Sequence, residues 1–134
     1  MTDAFSIALT GLRAQTTRLA ATASNIANAS TSGAVPSANP STPASTVYQP
    51  LDVSFSSLES GGVIASVTPD PTGYSVVYDP SPIYANSEGL TAVPDIDLSE
   101  EIVNLIETKL LYKVNISVIK TQDEMLGDLL DTLA

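Results

Sequence analysis

The chain has 134 residues, which suffice for one domain with a modest core, and it contains neither cysteine nor histidine. Disulfides are therefore excluded, and so is any site that needs one of these residue types as zinc ligand, nucleophile or general base. The net charge of -10, from 15 acidic and 5 basic residues, argues against a partner with a nucleic-acid or anionic-membrane surface.

The chain also lacks the apolar segments that membranes and secretion signals require. No stretch approaches the roughly 20 apolar residues that span a bilayer. The N-terminus has no basic segment leading into an apolar run with a cleavage site. We therefore expect a soluble chain without direct membrane insertion and without a cleaved secretion signal.

The first predicted element is a helix over residues 3–29, a stretch that contains no proline. Apolar and small side chains recur there at alternating spacings of four and three: Phe5, Leu9, Leu12, Thr16, Leu19, Ala23 and Ile26. This heptad stripe is typical of a helix that packs against another helix, and Thr16 is its weakest position. Asp3 is a candidate N-cap, and the many alanines favour helix and permit close approach.

The segment over residues 30–46 consists mainly of Ser, Thr, Ala and Pro, and it has no aromatic or charged residue. Such a composition cannot bury enough apolar surface to order itself. We predict a flexible loop.

Residues 47–94 are predicted to form a small β-rich insert. Val47, Leu51, Val53 and Phe55 alternate at strand period, as do Tyr74, Val76 and Tyr78, and an extended run covers Val63 to Val67. Gly61 and Gly62 supply a turn. We expect two or three short strands, because the many prolines of this region remove ladder donors.

The second predicted helix begins near Asp97, which has the capping-box spacing to Glu100. Residues 95–134, which contain this helix, form the predicted terminal helical core domain together with residues 1–29. The apolar residues of the helix form two adjacent heptad stripes. One stripe contains Leu98, Ile102, Leu105, Tyr112, Ile116, Ile119, Leu126, Leu130 and Leu133. The other contains Val103, Ile106, Leu110, Val114, Val118, Met125 and Leu129. Together they are wider than the face that one partner helix covers.

These elements predict an α+β fold, in which two long terminal helices form a coiled-coil-like core domain for a tube and enclose a small β-rich insert. At 1.5 Å per residue the helices would be about 40 Å and about 55 Å long, which exceeds the diameter of a compact domain of this size. The insert cannot cover both helices, so we expect their apolar faces to contact other chains.

The candidates for chemistry are weak. Asp95, Asp97, Glu100 and Glu101 could suggest a calcium site, but they lack the register of a calcium-binding loop and fit a helix start better. Asp123, Glu124, Asp128 and Asp131 fit a solvated helix face, and no phosphate-binding glycine motif is present. We predict no catalytic residue, no metal or cofactor site and no enzymatic activity.

Two segments resemble the signatures of a known family. Residues 19–31, Leu-Ala-Ala-Thr-Ala-Ser-Asn-Ile-Ala-Asn-Ala-Ser-Thr, closely resemble the N-terminal signature of flagellar rod and hook proteins. Residues 97–106, with Tyr112, Asn115 and residues 118–126, are similar to the C-terminal signature of the same family. The short length and residues 77–82 are most similar to the short proximal-rod members.

The resemblance implies a structural subunit of the bacterial flagellar basal-body rod. Such a subunit would pass through the flagellar type III export apparatus and assemble in the periplasm with copies of itself and other rod proteins, to transmit torque. The expected subunit interface comprises Phe5, Leu9, Leu12, Leu19, Asn25, Ile26, Asn28, Leu98, Ile102, Val103, Leu105, Ile106, Tyr112, Asn115, Ile116, Ile119, Leu126 and Leu130.

Some alternatives remain open at this point. The chain could be another rod paralogue, or a small helical binding or adaptor module whose two helices satisfy each other in a stable monomer. Asn25 and Asn28 could cap or cross-link the backbone at the end of the first helix, or they could form a solvated pair.

Overall fold

The computed structural model describes residues 2–36 and 46–133. Two helices flank four strands in the order α1 (Thr2–Asn28), β1 (Leu51–Ser57), β2 (Val63–Pro69), β3 (Tyr74–Tyr78), β4 (Leu90–Pro94) and α2 (Leu98–Leu133). The predicted α+β class, with a helix toward each end and a small β-rich insert, is confirmed. Neither described helix is long and apolar enough to cross a membrane.

Helix α1 agrees with the predicted helix to within one residue at each end. Asp3 lies inside the first turn instead of at the N-cap, where its negative charge complements the positive end of the helix dipole. At the other end, the carbonyl of Asn28 accepts hydrogen bonds from the N–H (3.0 Å) and the hydroxyl (2.7 Å) of Thr31. These bonds satisfy a carbonyl that the helix leaves without an internal partner.

Strands β1 and β2 form a two-stranded hairpin. The N–H of Leu58 donates to the Gly62 carbonyl at one end (3.1 Å), and the N–H of Asp70 donates to the Pro50 carbonyl at the other (2.8 Å), so the strands run antiparallel. Gly61 and Gly62 form the turn with φ of 85° and 94°. The glycine pair is therefore required by the left-handed backbone, as the turn prediction implied.

Strands β3 and β4 form a second antiparallel pair, with Val76 opposite Ala92. Ala92 also exchanges two backbone hydrogen bonds of 2.9 Å with Gly33, so β4 is bonded on both edges. The expectation of two or three strands missed β4. This strand is short and largely buried, so its sequence lacks the polar alternation that marks a half-exposed strand. Its proline stands at its last residue, where a missing N–H costs little.

Helix α2 begins as predicted. The Asp97 carboxylate accepts hydrogen bonds from the N–H groups of Ser99 (2.7 Å) and Glu100 (3.3 Å). These bonds, the one from Ser99 first, lower the pKa of Asp97 below its ordinary value. Within Leu98–Leu133, all of which the structure describes, Thr108 is the single buried residue. Helix α2 is thus ordered along its length but little covered.

The chain divides into two compact units. Unit 1 comprises Met1–Ala21, Val53–Val67 and Val103–Ala134, and unit 2 comprises Thr22–Asp52 and Thr68–Ile102. The predicted division into terminal helices, loop and insert follows a different line and stays a prediction. Of the predicted loop over residues 30–46, residues 37–45 lie outside the described part, whereas Gly33 and Ala34 are buried and bridge to Ala92 and Thr46.

Candidate assembly interface

The face of α1 that is buried in unit 1 carries small side chains. Ala8, Gly11, Ala14 and Ala21 are buried there, together with Gln15. A methyl group on Gly11 would lie 2.5 Å from the Asn115 amide oxygen, far inside van der Waals contact. The small residues therefore let α1 approach α2 closely, while the larger side chains of the predicted α1 stripe lie on other faces.

The face of α2 that meets α1 in unit 1 is largely polar. Asn104, Thr108, Leu111 and Asn115 follow one another at spacings of four, three and four, and each is buried or half-buried. This polar stripe lies beside the two predicted apolar stripes. It packs against α1 within the chain, where an apolar stripe would be expected. The apolar stripes consequently lie to either side of the contact with α1, and most of their side chains are exposed.

Arg18 anchors the polar stripe of α2. Its Nη2 donates to Oδ1 of Asn104 (2.8 Å) and to Oε2 of Glu107 (2.9 Å). Its guanidinium also lies 5.8 Å from the centre of the Phe55 ring, within cation–π range. Because Glu107 is half-exposed, the ion pair itself contributes little free energy, and its main effect is to fix which side of α2 faces α1.

The two outward stripes of α2 form a long exposed apolar surface. Val103 and Ile106 are 62% and 63% exposed. The exposed large apolar residues of α2 are Leu98, Ile102, Val103, Leu105, Ile106, Leu110, Tyr112, Val114, Val118, Met125, Leu126, Leu129, Leu130 and Leu133. Soluble monomers rarely expose a continuous apolar surface of this extent unless it is a contact site.

The predicted interface residues fall into three groups. Those that are exposed are Phe5, Leu19, Leu98, Ile102, Val103, Leu105, Ile106, Tyr112, Leu126 and Leu130. Those that are half-buried are Leu9, Leu12, Ile26, Asn28, Asn115, Ile116 and Ile119. Asn25 is buried. The exposed members are placed where another chain could reach them, and their role as contacts stays a prediction.

Asn25 is at the centre of a hydrogen-bond network in unit 2. Its Nδ2 donates to the Leu51 carbonyl (2.9 Å) and to Oε1 of Glu101 (2.6 Å). Its Oδ1 accepts from the Leu51 N–H (2.8 Å) and lies 3.0 Å from the Tyr48 hydroxyl, which is also 2.9 Å from Oγ of Ser24. The amide thus uses its full hydrogen-bonding capacity inside the chain.

This network decides between the alternatives for the two asparagines of α1. Asn25 is 3% exposed and cross-links the helix to the backbone of β1, so the prediction of a cross-link is confirmed for it. Asn28 donates from Nδ2 to the Ser24 carbonyl one turn earlier (2.8 Å). Asn25 has no free polar group to offer another subunit, and its side chain holds unit 2 together instead.

Sequence reasoning missed two contacts that hold unit 1 together. One is the pairing of Arg18 with Asn104 and Glu107, and the other is Thr10, whose hydroxyl accepts the N–H of Val63 (3.2 Å). Both join residues far apart in the chain. The polar residues of α2 also recur at spacings of three and four and form a third stripe in the sequence. The sequence pattern does not indicate which of the three stripes packs against α1.

Two carboxylates among the described residues have lowered pKa values, Asp70 and Asp97, and both serve local backbone structure. Among the described residues no three or more acidic side chains are grouped so that they could hold a metal ion. The Thr72 hydroxyl and then its N–H lower the pKa of Asp70, but this carboxylate is fully exposed in a local turn. Asp97 likewise serves a helix start.

Two family models match regions near the two ends of the chain. The family model for the flagella basal body rod protein matches residues 5–34, and the model for the C-terminal part of the flagellar basal body rod FlgEFG proteins matches residues 89–132. The flagellar basal-body rod protein FlgC of Yersinia enterocolitica is 33% identical over 124 residues, which are 91% of this chain and 90% of that protein. The chain belongs to the flagellar basal-body rod protein family.

Two further relatives support the assignment of this rod-family chain. FlgC of Salmonella typhimurium is 33% identical over 123 residues, which cover 91% of this chain and 90% of that protein. FlgC of Agrobacterium fabrum is 28% identical over 139 residues, which cover 99% of this chain and 95% of that protein. The chain is therefore a structural rod protein of the bacterial flagellar basal body, and its two family-matched regions contain nearly all of α1 and α2.

Proposed function

We propose that this chain is a subunit of the proximal rod that assembles through the outward apolar faces of α1 and α2, with copies of itself and with other rod proteins. In this position it transmits motor torque and has no enzymatic role. The observation that carries the proposal is the pair of apolar stripes on α2, most of whose side chains are exposed in the free subunit.

Burial of these stripes supplies the driving force for assembly. Each Å² of apolar surface removed from water contributes about 25 cal/mol before ordering costs, and a stable interface buries roughly 800 Å² on each partner. Exposed apolar residues run along α2 from Leu98 to Leu133 in two stripes, so more than one side of the helix can contact a neighbour. Several neighbours can therefore bind one subunit, as a tube requires.

The small core is compatible with export before assembly. The buried apolar residues among the described ones are alanines and a single valine: Ala8, Ala14, Ala21, Ala34, Val47 and Ala92. A core of this composition buries little apolar surface, so the free subunit is expected to be only marginally stable. We propose that this low stability lets the chain pass through the flagellar type III export apparatus, and that assembly in the periplasm then completes its burial.

The test is a substitution on the exposed stripe in the bacterium that encodes the chain. Val103→Asp and Ile106→Asp place a charge on side chains that are mostly exposed in the free subunit. We expect each variant to reach the periplasm, to keep its circular dichroism spectrum when purified, and to be absent from isolated basal bodies, with loss of motility. Burial of an unpaired carboxylate at an interface is costly enough to prevent assembly.

The control is Ser87→Asp, which adds the same charge at an exposed polar position outside both helices. It should leave incorporation and motility intact. Normal motility with Val103→Asp and Ile106→Asp would contradict the proposed surface and favour a helical adaptor module that works as a monomer.

A further inference from the structure

Unit 1 contains an open apolar groove between α1 and α2. It has a volume of about 500 Å³ and is lined by Gln15, Leu19, Leu105, Thr108, Lys109, Tyr112, Lys113 and Ile116. Leu105, Tyr112 and Ile116 belong to one predicted apolar stripe of α2. The groove is therefore a place in unit 1 where an apolar stripe lies next to α1 and leaves room for a further helix.

The groove has basic residues at its rim and, at its base, buried polar atoms without hydrogen-bond partners in the described part of the chain. Lys109 and Lys113 are two of the 5 basic residues in a chain with 15 acidic ones, and neither forms an ion pair with a described residue. At the base, the Gln15 amide oxygen and the Thr108 hydroxyl are buried without a hydrogen-bond partner among the described residues. Buried polar atoms without partners are rare in a finished structure, which suggests that this surface is completed by another molecule.

The last part of α2 has the complementary chemistry. Every residue from Asp123 to Leu133 is exposed in the structure. This segment carries four acidic residues and no basic one: Asp123, Glu124, Asp128 and Asp131. It also carries exposed apolar side chains: Met125, Leu126, Leu129, Leu130 and Leu133.

The dimensions of the two surfaces agree. The groove residues on α2 span Leu105 to Ile116, and the acidic segment spans Asp123 to Leu133, so each is roughly 16 Å long at 1.5 Å per residue. Lys109 and Lys113 are four residues apart, as are Glu124 and Asp128, so each pair lies on one side of its helix. An apolar helix with acidic flanks can thus enter an apolar groove with a basic rim.

We propose that the groove of unit 1 binds the acidic segment Asp123–Leu133 of a second copy of this chain. The inference rests on the proposed function and adds to it a specific contact between copies. Because groove and segment are different surfaces, each bound copy still has one of them free. Such a heterologous contact does not close into a symmetric dimer; it joins copies into a ring or a helical filament.

Disulfide cross-linking tests the contact in assembled rods. Because the chain has no native cysteine, any disulfide that this chain forms must involve an introduced residue. A chain with both Lys113→Cys and Asp128→Cys is made the only copy in the cell, and basal bodies are isolated and oxidised. The two positions are 15 residues apart on one straight helix, about 22 Å, so a bond within one chain is impossible. We expect a ladder of dimers and larger multimers of this chain.

The matched control replaces Asp128→Cys with Ser75→Cys, an exposed position on β3. It should be incorporated equally well and give no ladder. If the chain with Lys113→Cys and Asp128→Cys is incorporated into rods but gives no ladder, the proposed groove contact is wrong. The proposal of rod assembly itself would not be affected by that result. A cross-link from Lys113→Cys to a different rod protein would overturn the choice of a second copy as occupant.

A charge exchange tests the same contact without cysteine. The variant Lys109→Glu with Lys113→Glu should lower the amount of this chain in basal bodies by about tenfold, since two attractive pairs become repulsive. Adding Glu124→Lys and Asp128→Lys should restore most of it. Failure of this restoration would contradict the contact, whereas absence of the unsubstituted chain from basal bodies would overturn the proposed function itself.

Discussion

The polar network of unit 2 and the outward stripes of α2 show two different uses of similar helical sequence. Around Asn25 the chain satisfies its polar groups internally, with bonds to Leu51 and Glu101 and a nearly complete exclusion of water. On α2 the largest apolar side chains remain in solvent and the inward stripe is polar. Stability of the subunit and capacity for assembly therefore reside in different residues, and substitutions should separate them.

The largest effect is expected from Asn25→Ala. This change leaves the Leu51 N–H and the Glu101 carboxylate without their partner in a water-excluded site, and it should lower the free energy of unfolding by about 3 kcal/mol. Urea denaturation followed by circular dichroism measures it. Asn25→Asp should also destabilise, because it places a carboxylate beside Glu101.

The double variant Asn25→Asp with Glu101→Gln is the control for the network. In this variant the new carboxylate at position 25 can accept a hydrogen bond from the new side-chain amide at position 101. The variant should therefore recover part of the lost free energy of unfolding. If Asn25→Ala unfolds at the same urea concentration as the unsubstituted chain, the network does not stabilise unit 2 and the comparison fails.

Gly33→Ala should have the next largest effect. A methyl group there would lie 2.6 Å from both the backbone nitrogen and the Cα of Val47, and backbone cannot move aside as a side chain can. We expect a loss of about 2 kcal/mol, typical of an overpacked interior site. Thermal unfolding that is unchanged by Gly33→Ala would show that the bridge between Gly33 and Ala92 tolerates a shift.

A smaller contrast is expected between two helical glycines. Gly127 has nothing within 4 Å of an added methyl group, so Gly127→Ala should stabilise the chain by about 0.5–1 kcal/mol through helix propensity. Gly11→Ala gains the same propensity but crowds Asn115, so it should show no net gain, and Gly11→Leu should destabilise by about 1–3 kcal/mol. Equal stabilisation by both alanine substitutions would disprove the close approach of α1 and α2.

The smallest effect concerns pH. The pKa values of Asp97 and Asp70 are both lowered by hydrogen bonds in the folded chain. A group with a depressed folded pKa stabilises the chain above its unfolded pKa, and that contribution disappears as pH falls through the folded value. Stability should therefore decline below about pH 4, near the ordinary aspartate pKa.

Asp97→Asn keeps an N-cap acceptor but cannot titrate, so the part of the acid-induced loss of stability that comes from Asp97 should disappear. Helicity at 222 nm, followed between pH 5 and pH 2 for both chains, measures the difference. A steeper acid loss in Asp97→Asn than in the unsubstituted chain would contradict the assigned direction.

The sequence by itself determined the helical ends of this protein, the cap at Asp97, the glycine turn at residues 61–62 and the family. These features are local: they depend on the period of apolar residues, on capping chemistry and on short motifs. They also predicted that α2 carries more apolar surface than one partner helix covers, which the exposed stripes agree with.

Only the tertiary structure decided which faces turn inward. The amphipathic pattern of α2 contains three adjacent stripes, and its period cannot say that the polar one, with Asn104 and Thr108, meets α1. Strand β4 escaped prediction because burial removes the alternation on which strand prediction depends, and its pairing with Gly33 joins residues nearly sixty positions apart. The tertiary structure also decided that Asn25 is buried. The local sequence would be the same for a buried asparagine and for a solvated one, because the two differ only in their long-range partners.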